Sequence, residues 1–454
     1  MRIEVGTIKT KICTDNPQLL RELVKLYTFN VPGYEFSTAY RQRRWDGKQR
    51  FISKTGVFKT GLLNKILKDL AKIECSPEIV LNPELPSSPE IQKIQAFDYY
   101  PFQETFINKA LTDRRGIVKS PTGSGKTLIM AGIVKALHGR KMVILFNAKQ
   151  LLTQTYDFLT KKCGIENVGL CFGEGYIYGD IMLCTVQSID KILDTHLEDT
   201  EVLLVDEAHE FANGKVTLAA INSFPKAQYR IGFTATPPSS EGIPQLNLIG
   251  AFGDIWKETS THDLIEEGKL TKPLIQLIRL PSASGSDENL SYTEIYETFI
   301  IENEERNKKI YDIISFIKQK NKRARILILV KNLKHAEKLH KALEGSFRLW
   351  GDDEITSRYE TISKFLKAKE STILIGTKVL QTGVNIEELT HFINARGLKS
   401  EIATLQALGR ALRRHESKDR VYIYDFMDNV KYLKKHSQLR KNHYLSEGHE
   451  VEIL

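Results

Sequence analysis

Apolar and polar positions along the 454-residue chain fall into three regimes. Residues 1–81 carry short, mixed patterns. Arg2 to Lys11 alternates weakly, which predicts a strand. Asn16-Pro17 predicts a helix start, and Leu19, Leu20, Leu23, Val24 and Tyr27 recur on one face behind it. A second helix is predicted where Leu62, Leu63, Ile66, Leu67 and Leu70 recur. Between them, Asp46-Gly47 predicts a hairpin turn, with basic, aromatic arms at Tyr40–Arg44 and Lys48–Phe51. Residues 82–90 hold three prolines and two serines and read as a linker.

From about residue 95 the pattern becomes strands alternating with amphipathic helices. Strands are predicted at Ile117–Val118, Met142–Phe146, Ile181–Cys184, Val202–Val205 and Tyr229–Phe233. A second series after about residue 256 includes Ile326–Val330, Thr372–Ile375, Phe392–Asn394 and Val421–Asp425. Pro281–Asp287 reads as a loop excursion between the two. Such alternation predicts α/β domains with doubly wound parallel sheets. The basic C-terminal stretch (Lys431, Lys434, Lys435, Arg440, Lys441) reads as helical. The domains expected are 1–88 (small, basic α+β, with linker), 89–256 and 257–454.

The net charge of +9 points to a polyanionic partner. Its distribution sharpens this: residues 1–72 hold 15 Lys+Arg against 6 Asp+Glu, an excess of +9, so the remainder is neutral. In the basic segment Arg41, Arg43, Arg44, Lys48 and Arg50 lie beside Tyr40, Trp45 and Phe51. That mixture suits phosphate contact and base stacking. No signal peptide and no run of about 18 apolar residues is present, so no membrane partner is expected. Five cysteines without a Cys-x-x-Cys pair argue against a zinc ribbon or a disulfide framework and suit a reducing, cytoplasmic setting.

Two stretches carry chemistry. At 117–127, Ile-Val-Lys-Ser-Pro-Thr-Gly-Ser-Gly-Lys-Thr, a short strand enters a glycine-rich turn. A helix then follows, with Ile129, Ile133, Val134 and Leu137 apolar and Gly139 at its end. Backbone N–H groups of Gly123, Ser124 and Gly125 can point at phosphate oxygens, Lys126 can meet β- and γ-phosphates, and Thr127 can ligate magnesium. The strict pattern opens with glycine, and Ser120 stands there instead. Further on, the apolar run before Asp206-Glu207-Ala208-His209 ends in two acids. Asp206 there can hold Mg2+, and Glu207 can orient and deprotonate a water.

These motifs resemble superfamily 2 helicases of the DEAH-box type. Residues 120–127, 206–209 and 234–237 (Thr-Ala-Thr-Pro) resemble motifs I, II and III. Thr185–Ile189 resembles motif Ib, Thr382-Gly383-Val384-Asn385 motif V, and Gln406–Arg414 motif VI. Together they cover residues 100–414 in family order. The resemblance implies two tandem RecA-like domains with ATP and Mg2+ as cofactors. It casts Arg410 and Arg413 as arginine fingers and Gln406 as a contact to the γ-phosphate or the water. Gly383 and Asn385 would serve the ribose or metal surroundings. Tyr100-Pro101-Phe102-Gln103 resembles the upstream glutamine motif, with Gln103 on the adenine edge and an aromatic on the ring. Pro121 and Thr122 belong to the same phosphate loop. His209, Thr234 and Thr236 would couple hydrolysis to domain movement. Lys149, Gln150, Thr185 and Gln187 would line nucleic acid on the first domain, and Thr377, Lys378 and Thr382 on the second.

Arg44–Lys48 and Gly56–Leu63 further resemble the N-terminal domain of phage UvsW-type recombination helicases. That resemblance implies an ATP-dependent DNA motor working on forks and junctions. Recombination or replication proteins are then candidate partners, and a monomer is expected in isolation. An RNA helicase, or an ATP-switched clamp or annealing module that does not translocate, fits the same motifs.

Overall fold

The computed structural model describes residues 1–81, 88–211, 214–238, 242–281, 290–350, 355–377, 386–398, 409, 411, 412, 414, 415 and 418–454, without the side chains of 215, 216, 355, 356 and 359. The chain divides into two units, Met1–Ser120 with Gly125–Glu258, and Pro121–Ser124 with Thr259–Leu454.

The first unit begins with six short strands: β1 (Arg2–Val5), β2 (Lys9–Cys13), β3 (Thr28–Asn30), β4 (Lys48–Arg50), β5 (Val57–Lys59) and β6 (Glu78–Leu81). Four form a sheet in the order β5-β2-β1-β6, and β3 pairs with β4. Helix Pro17–Leu26 starts as predicted, because the Asn16 side chain accepts from the N–H groups of Gln18 and Leu19. The predicted hairpin about Asp46-Gly47 does not form. β4 pairs antiparallel with β3, Thr28 opposite Arg50, and Thr38–Arg41 is helical. Gly47 has φ +75°, and the Tyr34 ring covers it so closely that a Cβ would lie 2.3 Å from Tyr34 Cδ2. The glycine serves to receive a ring rather than to reverse a strand.

Eight strands follow in the same unit: β7 (Arg115–Lys119), β8 (Met142–Phe146), β9 (Val168–Phe172), β10 (Gly175–Ile177), β11 (Ile181–Thr185), β12 (Val202–Val205), β13 (Tyr229–Thr234) and β14 (Ile255–Trp256). Their order is β10-β9-β11-β8-β12-β13-β7-β14, and every pairing is parallel except β9 with β10. β8 and β12 are apolar and buried throughout, as strands covered on both faces must be.

The N-terminal segment shares a core with this sheet. Ile3, Leu62 and Ile66 belong to the same buried cluster as Val143, Leu145, Val205 and Phe252. Helix Ile243–Phe252 joins them. It is apolar on nearly every side, because it packs on the turn Thr60–Leu62 as well as on β7 and β13. The approach is close: a Cβ on Gly61 would lie 2.1 Å from the Ile249 carbonyl oxygen. Gln49 Nε2 adds a 2.9 Å hydrogen bond to Asn247 Oδ1. Most of the predicted linker, 82–87, lies outside the described residues.

The second unit holds β15 (Lys272–Arg279), β16 (Arg325–Leu329), β17 (Phe347–Leu349), β18 (Thr372–Gly376), β19 (His391–Asn394), β20 (Arg420–Met427) and β21 (Glu450–Ile453). Their order is β17-β18-β16-β19-β20-β15-β21, with all pairings parallel. The C-terminal helix, Lys431–Ser446, is not basic on every face. Arg440 is buried, and its Nε and Nη2 donate to Asp425 at 2.9 and 3.0 Å. Tyr444 OH donates to the same carboxylate at 2.8 Å. Removing one partner would strand a buried charge, so this pair fixes the helix on β20.

Three buried histidines make this unit acid-sensitive. Burial pushes His335 down to about 3, and His391 and His449 down to about 4. His335 Nε2 lies 2.9 Å from Asn307 Oδ1, and its Nδ1 is buried with no partner, so a second ring proton would be unsatisfied. A lowered folded value means the unfolded chain binds the proton first, and stability falls as pH drops below about 6.5. The expected loss between pH 7 and 5 is roughly 1–2 kcal/mol per histidine. Thermal melts across that range check it, and a pH-independent midpoint would contradict it.

Candidate functional site

β12, β13 and β7 are sheet neighbours in register, Val205 beside Gly232 and Thr234 beside Lys119. Their carboxyl ends therefore lie side by side, the usual ligand edge of a parallel sheet. β7 runs into the glycine-rich turn, whose start is fixed by a 3.1 Å hydrogen bond from Ser120 N–H to the Thr234 carbonyl. Gly123 and Gly125 take φ +89° and +83°, which glycine adopts without strain. Helix Lys126–Ala136 follows at once, so its unpaired N–H groups and positive dipole end face the turn. Lys126 Nζ donates to the Ser120 carbonyl at 3.1 Å. Thr127 is half-buried in the first turn of that helix.

Gln103 braces this loop from behind. It is buried, its Oε1 accepts the Tyr100 N–H at 2.9 Å, and a Cβ on Gly125 would lie 2.5 Å from its Nε2. Gly125 is thus needed for space as well as for conformation. The amide expected on an adenine edge has its oxygen engaged in capping helix Pro101–Asp113. The Tyr100 and Phe102 rings stack with centroids 5.9 Å apart; Tyr100 is exposed, while Phe102 packs on the core.

The two acids stand beyond β12. Burial, then the neighbouring Glu207 charge, raises the Asp206 carboxyl, and Lys126 opposes the shift. Glu207 adopts φ +47°, a left-handed conformation that costs on the order of 1 kcal/mol or more for a residue with a side chain. Its Oε2 is buried without a hydrogen-bond partner, 3.5 Å from His209 Nδ1. Burial holds His209 below its ordinary range. Its Nδ1 lies 2.8 Å from Thr234 Oγ1, which accepts the Thr236 N–H at 3.0 Å. Thr236 Oγ1 is itself buried without a partner. A short polar path thus runs from the acids of β12 to the end of β13. This corner has more negative charge than Lys126 balances, and an unpaired carboxylate oxygen, so it suits a cation together with phosphates.

The remaining predicted residues divide. Lys149 Nζ sits 4.5 Å from the Phe172 ring centroid, and Lys149 and Gln187 are exposed, with Gln150 half-buried. Thr185 is buried, and its hydroxyl donates to Ser188 Oγ at 3.2 Å, which braces the turn after β11. Thr377 is also buried. In the basic loop, Arg43, Arg44 and Lys48 are exposed. Arg50 is ion-paired with Asp46, Arg41 Nε donates to the Glu35 carbonyl, and half-buried Trp45 donates its indole N–H to the Lys48 carbonyl. Lys378, Thr382, Gly383, Asn385, Gln406, Arg410 and Arg413 lie outside the described residues. Asn147 was not foreseen. Its Nδ2 donates to Glu210 Oε2 at 2.6 Å, across a sequence separation that leaves no local signal.

The family described as "Type III restriction enzyme, res subunit" matches residues 96–239, and "Helicase conserved C-terminal domain" matches residues 305–415. The chain belongs to the superfamily 2 helicases. As such a helicase it is an ATP hydrolase. It is 24% identical over 452 residues to the "ATP-dependent DNA helicase uvsW" of Enterobacteria phage T4, covering 93% of this chain and 89% of that protein. It is 23% identical over 366 residues to the "DNA 3'-5' translocase XPB2" of Sulfurisphaera tokodaii, covering 71% and 80%. The helicase domain of Pyrococcus furiosus Hef shares the fold, with TM-score 0.53 and 15% identity over 78% of this helicase and 99% of that chain. Among the described residues, no helix is long and apolar enough to cross a membrane.

Proposed function

We propose that this helicase is an ATP-driven DNA translocase acting on forked, branched or duplex–single-strand junction DNA. The observation that carries the motor reading is the polar path from Glu207 through His209 to Thr234 and Thr236, since Thr234 also holds the start of the phosphate loop. Chemistry at the acids and movement of the strand ends would then be mechanically joined.

In this reading the N–H groups of Gly123, Ser124 and Gly125 cradle phosphate oxygens, with Pro121 and Thr122 shaping the turn. Lys126 neutralises the terminal phosphates. Thr127 and Asp206 would hold Mg2+, for which the raised Asp206 carboxyl and the unpaired Glu207 oxygen are a fitting setting. The metal ion, when bound, offsets phosphate charge. Glu207 orients the attacking water and takes its proton. The helicase motif at 406–414 assigns Gln406, Arg410 and Arg413 to the transferring phosphoryl group.

The DNA reading rests on the charge excess of residues 1–72, on the exposed Arg43, Arg44 and Lys48, and on the phage T4 relative, a DNA helicase by name. Because residues 1–81 share a core with the first parallel sheet, deleting them would expose apolar surface, so charge reversal is the cleaner test. Combining Arg43→Glu, Arg44→Glu and Lys48→Glu should weaken fork binding at least about tenfold and flatten its salt dependence. Loss of binding should exceed loss of ATPase measured without DNA. Equal losses would contradict the assignment. Displacement of streptavidin from biotinylated DNA separates a translocase from a static clamp.

A further inference from the structure

Phe36 is the most exposed large apolar side chain among the described residues, at 77%. It does not sit on a loose loop. It ends the 3₁₀ turn Tyr34–Phe36, where Phe36 N–H donates to the Gly33 carbonyl at 3.1 Å and Ser37 N–H to the Tyr34 carbonyl at 3.0 Å. The Tyr34 ring is locked on Gly47 and meets Tyr40 edge-on at 4.8 Å. Arg41 Nε bonds the Glu35 carbonyl at 3.2 Å, tying the helix Thr38–Arg41 back to the turn. An aromatic ring could bury 150–250 Å2 in a core. Here a rigid frame holds it in water.

Its surroundings name the class of partner. Residues 33–50 contain five cations and two acids. Arg50 engages one acid, Asp46, leaving Arg41, Arg43, Arg44 and Lys48 exposed against Glu35. An aromatic face within a cationic loop suits a nucleobase whose flanking phosphates meet the cations. Within a continuous duplex no base face is free. At a fork or branch the terminal base pair exposes one.

Resting on the DNA reading above, we infer that Phe36 stacks on the base pair exposed where a duplex opens, and so sets the preference for junctions over duplex with covered ends. The whole chain would be titrated with a fork and with a duplex of equal length and equal charge closed by a hairpin loop at each end, which covers its terminal base pairs, at fixed salt. Phe36→Ala should lower the ratio of fork to duplex affinity about fivefold or more. Phe36→Tyr and Phe36→Trp should restore it. Unchanged melting of Phe36→Ala would certify the fold, since so exposed a ring contributes little packing. A ratio unchanged in Phe36→Ala, or equal losses on both DNAs, would overturn the inference while leaving DNA binding standing. Dissolution of a self-associated species with the ratio intact would make the ring a protein contact, and also overturn it. Wild-type protein that binds no DNA would remove both this inference and the reading beneath it.

Discussion

Lys126→Ala lowers the rate of ATP hydrolysis at least about a hundred- to a thousandfold, the scale lost when one preorganised charge-stabilising group is removed. Lys126 acts on Asp206, where it offsets burial and the Glu207 charge. Without it, developing charge on the phosphates would lose the side-chain cation that stands beside the two carboxylates. The side chain is only half-buried and hydrogen-bonds a carbonyl of its own loop, so its loss spares the core. Steady-state ATPase measures the effect, and fluorescence anisotropy should show fork binding largely retained. A Lys126→Ala protein with normal turnover would refute the site.

Glu207→Gln is expected to cost about a hundred- to ten-thousandfold in kcat, because an amide cannot accept the water's proton. The substitution conserves size, so the strained corner at φ +47° and the contact toward His209 survive with little rearrangement. ATP binding should persist, and the variant should trap the nucleotide-bound form on DNA. Single-turnover hydrolysis with radiolabelled ATP checks this. Turnover within threefold of wild type would pass the role of base to another group.

Strands such as Met142–Phe146 and Val202–Val205 were legible because burial on both faces demands continuous apolar runs, and these two came out at the predicted bounds. The glycine-rich turn was legible because its φ values and close approach admit little else. Asp206 and His209 follow the end of β12 and Thr234 ends β13, and the register of a parallel sheet brings strand ends together. What was hidden depends on contacts distant in sequence. Asp46-Gly47 carries a hairpin signal, yet the Tyr34 ring claims Gly47 for packing. Residues 1–81 read as separate, since nothing local tells that Gly61 meets helix Ile243–Phe252. Arg440 read only as one of the cations of the basic C-terminal stretch, and nothing local told that Asp425 pairs with it in the core. The hydrogen bonds of Thr185 to Ser188 and of Gln103 to the Tyr100 N–H were likewise not read from the motifs that contain them.

The central claim is that DNA with an opened end drives this motor. It is tested most directly by steady-state ATPase at constant salt, without nucleic acid and then with single-stranded DNA, duplex DNA, a synthetic four-way junction, a fork, and RNA. Highest stimulation by the fork or the junction is the predicted result. Highest stimulation by RNA, or none by any nucleic acid, would contradict it.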